Sequence, residues 1–172
     1  AAVPGREAIV WRQRRIRYSE LAERSRRLAN HLLACGLRVR RERSQLAGHE
    51  SGQDHVALYM HNGNEFIESL LGAFKARVAP LNVNYRYVEE ELLYLFENSR
   101  ARAVIYHAAF APQVEKLRER VPGLDVLIQV ADDSGHPLLP GAVDYEAALA
   151  AASPEPPRVQ ASPDDLYILY TG

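Results

Sequence analysis

Cysteine is nearly absent: Cys35 is the only one in 172 residues. No disulfide can form within the chain, so a reducing, cytoplasmic setting is expected rather than a secreted one. Long apolar runs are missing too. None approaches the ~20 residues a membrane-crossing helix needs, and no stretch has the apolar core of a signal peptide. There is no initiator methionine, and the expectation is a piece cut from a longer protein. An excess of either charge is lacking, with 21 Lys and Arg against 22 Asp and Glu. Bulk electrostatics therefore give no argument for nucleic acid or an anionic membrane as partner. The six histidines lie at 31, 49, 55, 61, 107 and 136. No pair has metal-ligand spacing on a helix and no cysteine cluster supports them, so a zinc site is not expected. The chain also has no G-x-G-x-x-G and no G-x-S-x-G, which speaks against a dinucleotide fingerprint and a serine-hydrolase elbow.

What is present is ordinary globular material, 47% hydrophobic and 25% charged, in a chain long enough to bury roughly 70% of its unfolded surface. It opens with the pattern of a β-hairpin: Glu7 to Trp11, the polar connection "RQRR", then Ile16 to Tyr18. Leu21, Leu28, Leu32 and Leu33 recur at helical spacing and place one stripe inward, and Gly36 falls where a left-handed residue would end that helix. Cys35, at the end of the stripe, reads as core filler. Residues 38–53, with the basic run "RVRRER", are polar and aperiodic and read as a long exposed loop.

The middle alternates. "HVALYM" (55–60) reads as a strand covered on both faces. Asn62 or Asn64 is placed to cap a helix whose core face is Phe66, Ile67, Leu70, Leu71 and Phe74. "VAPLNVN" (78–84) is extended again. A helix over 88–98 then uses Val88, Leu92, Leu95 and Phe96, with Glu89, Glu90 and Glu91 in its first turn, where carboxylates complement the helix dipole. Three consecutive glutamates point around a helix rather than at one atom, so a solvated turn is expected there and not acid–base machinery. Strand 103–106, helix 112–120, strand 125–130 and a short helix near 144–152 follow. The fold class expected is α/β: layered βαβ units with a largely parallel sheet covered by helices, preceded by a hairpin. One α/β unit spans 1–153, a proline-rich connection 154–163, and a last segment 164–172.

That last segment, "DDLYILYTG", reads as a buried strand, Leu166 to Tyr170, followed at once by Thr171 and Gly172. Ligands of parallel sheets gather at the carboxyl ends of the strands, and a Thr/Gly loop there can wrap phosphate with backbone N–H groups. The residues alone leave phosphate binding and a plain turn both open. Asn82, Asn84, Tyr85 and Arg86 read as turn formers and caps rather than ligands.

Taken in order, "IRYSELAERSRRLANHLLACGL", "VALYMHNGNEFIESLLGAFKARVAPLNVNYRYVEEELLYLFENSRARAVIY" and "DDLYILYTG" resemble the acyl-CoA synthetase branch of the adenylate-forming ligases. The resemblance covers nearly the whole chain. It implies part of a larger N-terminal domain, in an enzyme that converts a hydrophobic carboxylic acid to acyl-AMP and then to acyl-CoA. It also implies ATP, Mg²⁺ and CoA as cofactors or co-substrates, and a homodimer. Of the family's phosphate-binding loop only Thr171 and Gly172 are in the chain, so these are its cofactor-binding residues. No catalytic or metal-binding residue carries over, and the chain alone is expected to be inactive. Two features depart from the family pattern. Arg17 stands where Thr or Ser commonly caps the first helix, predicting a start weaker by about 1 kcal/mol, and the 38–53 connection is longer than in many relatives. An amino-acid adenylation or luciferase-like enzyme, and a non-catalytic α/β interaction module, stay open as alternatives.

Overall fold

The structure, a computed structural model, describes residues 2–170. An antiparallel hairpin, β1 (Glu7–Trp11) and β2 (Arg14–Arg17), leads into α1 (Tyr18–Ala34). The expected four-residue connection is in fact two residues, because Trp11 pairs with Arg14 and Arg12 adopts a left-handed φ of 53°. Arg14 and Arg15 are thus strand residues. After α1 come β3 (His55–Tyr59), α2 (Asn64–Lys75), β4 (Ala79–Asn82), α3 (Glu89–Ser99), β5 (Ala103–His107), α4 (Ala111–Arg120), β6 (Val126–Val130), β7 (Val143–Asp144) and α5 (Tyr145–Ala151). The short β7 is not visible in the sequence pattern.

The five strands β3 to β7 form one parallel sheet in the order β4-β3-β5-β6-β7. Alternation along each strand sorts side chains to two faces. Val56, Leu58, Ile105 and Ile128 meet α1, α2 and α5 through Leu28, Leu32, Ala73, Tyr145 and Leu149. Ala57, Tyr59, Val104, Tyr106 and Leu127 meet α3 and α4 through Leu92, Leu95, Phe96, Val114 and Leu117. The α/β class, the parallel sheet and the hairpin agree with the sequence reading. Gly36 ends α1 with φ 81°, as expected.

The core face of α2 differs. Phe66, Ile67, Leu70, Leu71 and Phe74 are only half-buried or less uniformly inward than expected, while Asn64, Glu68, Ser69, Gly72 and Ala73 are the buried positions. The reason is close packing with α1: a Cβ on Gly72 would stand 2.9 Å from Leu28. Small residues therefore take the contact, and Glu68 gathers the polar partners around it, whereas the buried Ser69 hydroxyl has no partner among the described residues. The fully buried Glu68 carboxylate accepts from Asn64 Nδ2 at 3.1 Å and from the Tyr145 hydroxyl at 3.0 Å. Arg24 Nη2 lies 3.0 Å from it and also reaches Glu146 on α5. Asn64 is consequently not a cap; Gly63 occupies that position, and no side chain caps α2. Val88 likewise caps α3 and is 63% exposed, so it leaves the core set read from periodicity.

The 38–53 loop is more ordered than its composition suggests. It holds a turn of 3₁₀ helix, Arg43–Gln45, and its two ends pair at Val39 and Gln53. Arg40 and Arg102 both bind Asp54, which is buried and just precedes β3. At the other end, Asn30 of α1 holds the proline-rich connection by donating to the carbonyls of Ser153 and Glu155 at 2.8 and 2.9 Å.

Candidate functional site

The order of the sheet has a reversal. From β3 the chain crosses to β4 through α2 on one face, whereas from β5 it crosses to β6 through α4 on the other. The loops after β3 and β5 therefore part at the carboxyl ends of the strands and open a crevice, the place where parallel sheets take ligands. His61 follows β3 and His107 ends β5. Their rings lie 5.7 Å apart, and His107 Nδ1 accepts the His61 backbone N–H at 3.0 Å. His61 also packs against Phe110 (5.0 Å) and edge-on against Tyr85 (4.6 Å).

The hairpin closes this crevice from one side. Trp11, Arg12 and Arg14 line a cleft of about 510 Å³ with His61, Asn64, Glu65, His107 and Asp132. Arg14 reaches Glu65 at 3.4 Å. Burial pushes His107 below its ordinary range, against the pull of Asp132 and Glu65, and its Nδ1 accepts the His61 N–H. For Asp132, burial works to raise the pKa, but hydrogen bonds from Ser134 and from the Ala109 N–H outweigh it and hold the carboxylate low. The cleft thus combines the rings of Trp11, His61 and His107 with side chains of both charges. Among the described residues no group of three His, Cys, Asp or Glu side chains is placed to hold a metal ion.

The last segment reaches the same edge by a different course from the one expected. It is not a buried strand. Among the described residues of the segment only Ile168 pairs, with Leu81 of β4 and in parallel, through Ile168 N–H to the Pro80 carbonyl at 3.0 Å. Ile168 and Tyr170 turn toward the α3 side of the core, while Tyr167 and Leu169 are 41% and 66% exposed. An apolar run there looks buried in sequence, yet the segment lies on the outermost edge of the sheet and one of its faces is open. Because it is parallel to β4, it runs toward the carboxyl ends of the strands. Tyr170 is held by Asn98, whose side-chain oxygen accepts from its hydroxyl at 2.7 Å. Thr171 and Gly172 lie outside the described residues.

Other residues fall where their chemistry suggested. Asn84 accepts the Arg86 backbone N–H at 3.0 Å, forming the turn read from its sequence, and Arg86 lies over the Tyr85 ring at 5.3 Å. Glu89 binds Lys116 at 2.7 Å and Glu91 accepts the Val88 N–H at 2.9 Å, as a solvated first turn would. Cys35 packs half-buried against the α1 side of the core, and burial raises its thiol. The pairing of His61 with His107 was not legible, since 46 residues separate them and only the strand order brings them together.

Comparison with known proteins follows the same lines. The family described as AMP-binding enzyme matches residues 1–172. Medium-chain acyl-CoA ligase Mig of Mycobacterium avium is 59% identical over 172 residues, which is 100% of this chain and 31% of that protein. A 3-oxocholest-4-en-26-oate–CoA ligase of Rhodococcus rhodochrous is 39% identical over 171 residues, 99% of this chain and 28% of that protein. The chain thus spans a little under a third of these relatives. Among solved structures, the N-terminal domain of FACL13 from Mycobacterium tuberculosis superposes with a TM-score of 0.71 at 26% identity, covering 92% of this chain and 35% of that one. The anthranilate CoA ligase AuaEII with anthranoyl-AMP gives 0.81 at 18% identity over 96% of this chain and 29% of that one, a likeness of fold.

Proposed function

Because the chain belongs to the AMP-binding enzyme family, we propose that it is the N-terminal part of an ATP-dependent acyl-CoA ligase acting on a hydrophobic carboxylic acid. The acid's carboxylate attacks the α-phosphorus of ATP, forming an acyl-adenylate and releasing pyrophosphate. The thiol of CoA then attacks the acyl carbon, AMP leaves and a thioester forms. The observation that carries this reading is the 59% identity maintained along the whole chain to a medium-chain acyl-CoA ligase. A medium-chain fatty acid or a sterol side-chain acid is the substrate class that the two relatives favour.

In this reading the α/β unit 1–153 is a scaffold, 154–163 a connection, and 164–172 the entry to the phosphate-binding loop. The segment beside β4 carries the chain toward the carboxyl edge, and Thr171 and Gly172 begin the loop that wraps the phosphates with backbone N–H groups. Mg²⁺ would arrive with ATP, bound chiefly by the phosphates and waters. Homodimeric assembly and a cytoplasmic location complete the proposal. The lone cysteine supports the latter, and among the described residues no helix is long and apolar enough to cross a membrane.

The test uses the full-length protein with ATP, CoA and a panel of medium-chain, sterol side-chain and aromatic acids. Acid-dependent exchange of labelled pyrophosphate into ATP, and thioester formation with the apolar acids, are expected. No exchange with any acid would overturn the reading.

A further inference from the structure

Arg77 joins two parts of the chain that the sequence leaves unrelated. It stands between α2 and β4 with a left-handed φ of 54°, a conformation that costs a side-chain-bearing residue some strain. Its side chain is 13% exposed and its guanidinium forks. Nη1 and Nη2 donate to the two carboxylate oxygens of Glu42 at 2.9 Å each, and Nε donates to Asp165 at 2.9 Å. The backbone repeats the link. The Arg77 carbonyl accepts from Gln53 Nε2 at 3.0 Å, and Gln53 Oε1 accepts the Leu166 N–H at 2.7 Å.

Glu42 and Gln53 belong to the long 38–53 loop; Asp165 and Leu166 begin the edge segment. Both therefore converge on one residue at the amino-terminal end of β4. Among the described residues past Leu166, the edge segment has one backbone bond to the sheet, at Ile168, the Tyr170–Asn98 contact at its tip, and packing of Tyr167 on Phe74 and of Ile168 and Tyr170 on the core. Its polar ties to the loop and to Arg77 are all made at its start, by Asp165 and Leu166, so they fix where the segment enters the sheet edge. A bidentate guanidinium pair fixes direction as well as distance, which a lysine ammonium does not.

We propose that Arg77 is a positioning residue for ATP, holding segment 164–170 in register so that Thr171 and Gly172 start from the correct place, with Glu42 of the 38–53 loop fixing the guanidinium. The proposal rests on the ligase reading above. It also gives the long loop a role, which is to brace the nucleotide-side segment from outside the site.

The experiment compares the full-length protein with its Arg77→Ala, Arg77→Lys and Glu42→Gln variants by two independent measurements. In hydrogen–deuterium exchange, Arg77→Ala should speed uptake in 164–172 and in 38–53, leaving β5 and β6 unchanged. Unaltered uptake in 164–172 would overturn the proposal whether or not the protein ligates an acid. In pyrophosphate exchange, Arg77→Ala should raise KM for ATP about tenfold with KM for the acid unchanged. Lysine should recover part of the loss, and Glu42→Gln, at an exposed side chain, should move KM for ATP the same way by about threefold. A lower melting temperature with both KM values unchanged would reduce Arg77 to a structural ion pair and overturn the proposal. No exchange in the unaltered protein would instead defeat the ligase reading itself.

Discussion

The guanidinium of Arg24 on α1 lies 3.0 Å from the carboxylate of Glu68 on α2, which has no exposed surface. A buried carboxylate is tolerated only when paired and hydrogen-bonded. Here α5 supplies the remaining partner through Tyr145, so three helices are fastened at one anion. Arg24→Met should therefore cost about 3 kcal/mol, because it strands the charge, whereas Tyr145→Phe should cost about 1 kcal/mol. Urea unfolding of the chain measures both; equal small effects would show that the pair does not hold the helices together.

Arg17 precedes α1 in extended geometry, φ −81° and ψ 159°, and its side chain caps nothing. Threonine there can accept an N–H of the first turn. Arg17→Thr should raise stability by about 1 kcal/mol, and thermal melts with no gain would refute the capping argument.

Arg100 ends α3 at φ 51° and ψ 39°, and among the described residues its side chain has no hydrogen bond or ion pair. Left-handed backbone penalises a Cβ, while glycine takes it freely. Arg100→Gly should stabilise the chain by about 0.5 kcal/mol; destabilisation would mean that the side chain makes a contact that matters. The same change at Arg77, which shares the conformation, should destabilise, because there the guanidinium is engaged.

His31, His55 and His107 are each driven by burial below the ordinary histidine value of 6.5. A base whose folded pKa is depressed takes up protons first in the unfolded chain. Stability should thus be full above about pH 6.5 and fall as pH drops below it toward the folded values. Unfolding free energies measured from neutral to mildly acidic pH check this. His107→Gln, which can still accept the His61 N–H, should flatten part of the slope; an unchanged slope would remove His107 from the account.

These 172 residues alone, which span a little under a third of the ligases they match, should give no acid-dependent exchange of pyrophosphate into ATP. Exchange by a purified preparation of these 172 residues would place catalytic groups within the chain.

Much of this protein was legible before folding. Period-two and period-3.6 patterns reflect a backbone that must bury one face locally, so the hairpin, the α/β alternation and the parallel sheet follow from residues close in sequence. Gly36 and Asn84 also announced their turns, since their roles depend on their own backbone. What the pattern could not state is which neighbour each face would meet. Periodicity aimed Phe66 and Leu70 inward, but Gly72 let α1 approach so closely that Glu68 and Ser69 took the interior. The terminal apolar run looked buried because sequence carries no record of being at an edge. The meetings of His61 with His107, and of Glu42 with Asp165 through Arg77, depend on strand order and on contacts between distant segments. Local patterning chose the elements; only the tertiary structure, by deciding adjacency, chose the site.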